Sequence, residues 1–187
     1  MIKKPTKKKK AKKLPSLFRL RRLADRLWSL KVKAVYGSKC AVCGASEVLN
    51  SHHIEPRTSS AVIRWDVLDG ISLCVTHHKY GRDAAHKSAI FFYEFVKSKV
   101  PNVIEYIKPL RPIELKAGKV SREQMAIVLS SLWTDITQEQ SDVWNLGTRE
   151  ELNSQWLQAR KEMALTVWEK EYLHSLPAVQ GPTWPPL

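Results

Sequence analysis

Apolar residues recur at Leu20, Leu23, Leu27, Leu30 and Ala34, at spacings of three and four. This stripe predicts an amphipathic helix over 15–36, with Arg19, Arg22, Arg26 and Lys33 off the apolar face and Gly37-Ser38 ending it. From 38 to 80 the helical period disappears. β-leaning pieces at 47–54 and 71–73 flank a loop at 55–69, and so small a segment buries little core. We therefore expect two short strands held together by a metal. Helical patterning returns from about 84 to 100, with Phe91, Phe92, Phe95 and Val96, and Pro101 is expected to stop it. Pro101, Pro109, Pro112 and Ala117-Gly118 make 101–120 read as an extended linker. Ser121-x-x-Gln124 and Thr148-x-x-Glu151 match the capping box, so each starts a helix. The second is expected to run to about 176, with Leu152, Trp156, Ala159, Met163 and Val167 on one face.

The pattern predicts an α+β chain that is mostly α-helical. Its expected parts are a disordered arm at 1–14, a core domain at 15–108, a linker at 109–120, a helical region at 121–176 and a Pro-rich tail at 177–187. No internal repeat is visible.

Charge changes this picture in one place. The formal net charge of +13 divides into +14 over residues 1–39, +1 over 40–100 and −2 over 101–187. A surplus confined to the first fifth of the chain predicts a polyanionic partner, nucleic acid or an anionic membrane surface. Lys7, Lys8, Lys9 and Lys10 of the arm, with Arg19, Arg22 and Arg26 of the first helix, are the candidate phosphate contacts. A solvated basic run is the commoner explanation of such an arm. No apolar run reaches 18 residues, which argues against a membrane span, and 14–30 is too charged for a secretory signal. With an odd number of cysteines, two of them at metal spacing, the expectation is a reducing, cytoplasmic setting.

All three Cys and five of the six His lie between 40 and 86. Cys40-x2-Cys43 and Cys74-x2-His77 are two pairs about thirty residues apart, offering three thiolates and an imidazole to a closed, tetrahedral, structural Zn2+. His52, His53, His78 and His86 are surplus to that site. His52 and His53 are neighbours on a predicted strand, so one ring can bind a metal while the other faces a substrate from the opposite side. His86 is expected to open the helix that follows.

The run Cys40-x2-Cys43, Ser51-His52-His53-Ile54-Glu55-Pro56, Asp69-Gly70-Ile71-Ser72-Leu73-Cys74, His77-His78 and Ala85-His86 resembles the HNH endonuclease family. With the Arg/Leu helix upstream and Arg64-Trp65-Asp66, it is similar to the zinc-containing phage recombination endonucleases within that family. The resemblance spans roughly 15–105. It implies a small zinc-braced ββα-metal core, between an N-terminal basic helix and C-terminal helices, that cleaves DNA phosphodiesters, with branched or recombination intermediates as substrates. It implies His53 as general base, and His52 and His78 as ligands of a catalytic divalent ion, Mg2+, Mn2+ or Zn2+. Asp69 stands where the family has Asn and would steady the loop that carries the base; an ionised Asp accepts hydrogen bonds but donates none. The last family ligand usually follows His78 by four or five residues. Here position 82 is Arg, and His86 is either that ligand displaced by Gly81-Arg82-Asp83 or only a helix-start residue. Lys79 or Arg82 could add a phosphate contact.

A neutral imidazole, with an ordinary pKa of about 6.5, can accept a proton from water near neutral pH. Two further readings compete with the nuclease: a zinc-stabilised nucleic-acid-binding module without catalysis, and an assembly scaffold. Trp133, Trp144, Trp156, Trp168 and Trp184 bear on the second. Their default role is core packing, and the alternative is to anchor a homodimer or a protein partner.

Overall fold

The computed structural model describes residues 14–110 and 119–177. The basic arm through residue 13, most of the predicted linker and the tail with Trp184 lie outside the described residues.

The predicted first helix is α1, Leu17–Val35, opened by the Ser16 hydroxyl, which accepts from the Arg19 N–H. Leu20, Leu23, Leu27 and Ala34 are buried as the stripe requires. Strands β1 (Leu49–His53) and β2 (Gly70–Cys74) form one antiparallel pair, with Leu49 opposite Cys74 and His53 opposite Gly70. The predicted loop between them is partly ordered into α2 (Ala61–Arg64) and a 3-10 turn, Val67–Asp69. The Arg64 guanidinium forks onto the Asp25 carboxylate at 2.8 and 3.1 Å, and the Trp65 indole N–H donates to the same group at 2.8 Å. Arg64-Trp65 thereby pins the connection to α1. Gly70 has no room for a side chain, because a Cβ there would run into Val32 of α1.

A π-helical turn, Thr76–Tyr80, follows β2. Helix α3 is Ala89–Lys99, so it starts later than the patterning suggested, and His86 sits in the turn before it rather than at its start. Pro101 ends α3 and also begins α4 (Pro101–Ile107), where an extended linker was expected. Proline suits a first helical position because that N–H has no intrahelical partner. A 3-10 turn, Lys108–Leu110, closes the segment.

Both predicted capping boxes are formed, at α5 (Arg122–Trp133) and α7 (Arg149–Glu162). Between them lies α6 (Gln138–Trp144), capped by Thr137 and Gln140. The single helix expected to reach 176 is two: α7 stops at Glu162, and α8 (Val167–Ser175) restarts on the Thr166/Glu169 box. Val167, assigned to the buried face, is exposed. The chain is thus mostly α-helical with one two-stranded sheet. The helices α5 and α7 pack on α1, so the C-terminal helices share its core. Trp144 and Trp156 are fully buried and Trp133 and Trp168 partly so, as their default role requires. Among the described residues no helix is long and apolar enough to cross a membrane.

Lys31 of α1 is buried at this junction. Its ammonium donates to the carbonyls of Ser131 and Thr134, which end α5, and lies over the Trp156 ring. Burial lowers its pKa to about 7, with Asp135 acting the other way. The folded-state pKa is below the unfolded one, so the unfolded chain holds more protons between about pH 7 and 10.5, and stability rises with pH there. The melting temperature is expected to climb from pH 7 to 9 in the wild type and to climb less in Lys31→Met; parallel profiles would refute this.

Candidate functional site

The two predicted metal-binding pairs meet. Cys40 and Cys43 lie on a knuckle after α1, where Gly44 takes a positive φ of 74° and its N–H donates to the Cys40 carbonyl. The Ala41 N–H donates to the Ser72 carbonyl and ties the knuckle to β2. Cys74 ends β2 and His77 lies in the π-helical turn. One ligand atom from each of Cys40, Cys43, Cys74 and His77 lies within 4.8 Å of all the others. Cys43 Sγ is 3.9 Å from Cys74 Sγ, and His77 Nδ1 is 3.2 and 3.7 Å from the sulfurs of Cys74 and Cys40. An ion held tetrahedrally at about 2.3 Å from sulfur separates its sulfurs by roughly 3.8 Å, so these four residues could hold a metal ion. Burial raises the Cys40 thiol, but backbone N–H groups of Cys74, Cys43 and Val42 outweigh it and hold the pKa below its ordinary value. That favours thiolate, the ligand form.

The π-helical turn also separates the two adjacent imidazoles, because successive helical positions project in different directions. His77 turns to the sulfurs, while His78 joins His52 and His86, whose ligand atoms lie within 4.8 Å of one another. His86 reaches this cluster despite its distance in sequence because 81–86 folds back on the turn. The Ala85 and His86 N–H groups donate to the carbonyls of His77 and His78. Nε2 of His86 then lies 3.2 Å from Nε2 of His78. An ion about 2.1 Å from each nitrogen sets them roughly 3.0–3.4 Å apart, so the trio also suits a cation. Burial lowers His52 to about 4, reinforced by His78 and His86, and burial lowers His78 as well. Both are therefore neutral, the form that binds metals.

His53 has a different setting. Its ring stacks on Trp28 of α1 at 3.8 Å between centroids, and its Nδ1 lies 2.9 Å from Asp69 Oδ2. Asp69 is fully buried; its other oxygen accepts from the Glu55 N–H at 2.7 Å, and its carbonyl accepts from the Ile54 N–H. Asp69 thus fastens both the His53 ring and the chain that leaves β1. Burial pushes His53 down to about 3 and the Asp69 carboxyl well above its usual range. With Nδ1 facing Oδ2, a ring that donates Nδ1–H to the Asp69 carboxylate keeps Nε2 as its acceptor nitrogen.

Strand alternation sends His52 and His53 to different partners, yet both border one open cleft of about 820 Å³ at the end of β1. His78 and His86 also line the cleft, with Phe92 and Tyr93 of α3.

Of the expected phosphate contacts, those among the described residues lie elsewhere. Lys7, Lys8, Lys9 and Lys10 are outside the described residues. Arg19 lies over the Trp168 ring and Arg22 over the Phe18 ring, while Arg26 pairs with Glu169 of α8 at 2.7 Å. Lys79 lies over Tyr80, and Arg82 faces Asp83. None of these five lines the cleft, whereas Arg57, just after β1, does. A single Arg in a loop carries no periodicity or spacing signal in the sequence. Trp28 lies inside the predicted first helix, where no periodic signal points to a contact with His53.

Comparison with protein-family models, with curated proteins and with solved structures finds no match to this chain.

Proposed function

We propose that this chain is a metal-dependent endonuclease of the HNH, ββα-metal type that hydrolyses DNA phosphodiester bonds. One juxtaposition carries the reading: His53, oriented by Asp69, borders the same cleft as the His52, His78 and His86 trio. Hydrolysis needs a nucleophilic water, charge stabilisation on the phosphoryl oxygens and a stabilised leaving oxygen. His53 rests neutral, and with Nδ1 engaged its Nε2 is placed to accept the water's proton. The Asp69 carboxylate beside Nδ1 stabilises the imidazolium that results and holds the ring in the required tautomer. Arg57 brings a permanent positive charge to the phosphate. A divalent ion on the three imidazoles would, when bound, polarise the phosphate and stabilise the leaving 3′ oxygen. Cys40, Cys43, Cys74 and His77 would hold a structural Zn2+, and this thiol-rich donor set supports action in a reducing cytoplasm.

The two departures that favour a binding module without catalysis are Asp69 and His86. Asp69 still secures the base and His86 still reaches the trio, which supports the nuclease reading. The test is nicking of supercoiled plasmid by chelated protein after readdition of Mg2+ or Mn2+. Activity should return with the ion and be lost in His52→Ala and in His78→Ala. Binding without cleavage, for every ion and DNA form tried, would establish the inactive module or the scaffold instead.

A further inference from the structure

The cleft has two chemically different walls. One carries the histidines and Arg57; the other is the aromatic side of α3, where Phe92 sits edge-on to His52 at 4.9 Å and Tyr93 is 49% exposed. Among the described residues that line it there is no carboxylate, and Arg57 is its one permanent charge. Arg57 has no hydrogen-bond or ion-pair partner among the described residues and stands in solvent. α3 is itself unusually bare: Val96 is its only buried side chain, and Ile90 and Phe91 beside Tyr93 are exposed as well. A helix ordinarily turns such residues inward.

Resting on the nuclease reading, we propose that the cleft binds a DNA strand whose base next to the scissile phosphate is unpaired, with that base stacked on Tyr93 and the phosphate facing Arg57 and the histidines. An anionic group and a flat apolar face on one nucleotide match the two walls. Aromatic side chains stack on any base because every base has a π face. In an intact duplex those faces are covered by the neighbouring bases, so Tyr93 has nothing to stack on. The substrate class that follows is single-stranded or gapped DNA, with Tyr93 as the specificity-determining residue.

The experiment compares one sequence as a single strand, a gapped duplex and an intact duplex, using the full chain. Cleavage is measured in Mn2+ and binding by fluorescence anisotropy in Ca2+, for the wild type, Tyr93→Ala and Tyr93→Phe. Stacking of one base predicts single-strand and gapped cleavage about ten-fold faster than duplex cleavage. Tyr93→Ala should lose about that factor on unpaired substrates and little on duplex, and Tyr93→Phe should retain it. Intact duplex cut as fast as single strand, or Tyr93→Ala slowing both alike, overturns the inference and leaves the nuclease standing. If nothing is cut with any ion, the nuclease reading fails and binding decides. A single-strand preference abolished by Tyr93→Ala then upholds the stacking site, and equal binding of all three forms by all three proteins overturns it.

Discussion

Replacing His53 by alanine is expected to lower single-turnover plasmid nicking by about 10²–10⁴-fold, the usual contribution of a positioned general base. Metal content should stay unchanged, because the ring belongs to neither the Cys40, Cys43, Cys74, His77 set nor the His52 trio. Added imidazole should restore part of the rate by supplying the missing proton acceptor. Asp69→Ala is the companion variant. It removes at once the acceptor beside His53 Nδ1 and the one that takes the Glu55 N–H. A loss of rate without imidazole rescue is expected, whereas Asp69→Asn, the residue carried by the family this chain resembles, should keep activity. A His53→Ala protein within a few-fold of wild type would remove the base from the mechanism.

Loss of the four-residue cluster should have the largest effect on the fold. Structural zinc in small domains binds with about 10–16 kcal/mol, comparable to the roughly 5–15 kcal/mol that holds a whole domain folded. Here Cys40 and Cys43 come from the knuckle, Cys74 from the end of β2 and His77 from the π-helical turn, so the cluster joins three segments. Elemental analysis should find about one zinc per chain bound through these residues. In Cys74→Ser, or after chelation, hydrogen exchange should accelerate through β1, β2 and the π-helical turn while the buried faces of α1, α5 and α7 stay protected. The His52, His78 and His86 trio should disperse with them, since His78 and His86 are held by that turn. A Cys74→Ser protein that keeps one zinc, its melting temperature and its exchange pattern would exclude Cys74 as a ligand.

Local chemistry was legible in the chain. The 3–4 stripe of α1 and the Ser121 and Thr148 capping boxes each involve residues within a turn or two of one another. The boxes at Thr137 and Thr166 carry the same signal and start α6 and α8, two helices beyond those expected; no Gly or Pro marks the break before α8. The two x2 pairs were legible because metal ligands at such spacing share one turn, and they do come together.

Three thiols and five imidazoles within a short stretch determined the candidate chemistry. The separation of the Cys40, Cys43, Cys74, His77 set from the remaining histidines followed from motif spacing; the direct contact of His53 with Asp69 did not, since Asp69 was expected to steady the loop that carries the base. What tertiary structure decided is which of the remaining groups join them. His86 reaches His78 through backbone bonds that fold 81–86 back on the π-helical turn, and Arg57 and Tyr93 come to one cleft from different elements. The arginines of α1 face Trp168, Phe18 and Glu169 rather than the cleft. Charge and periodicity place a residue on a face of its own element. Which neighbour meets that face depends on how distant segments pack, and a pattern repeating over three or four residues does not encode it.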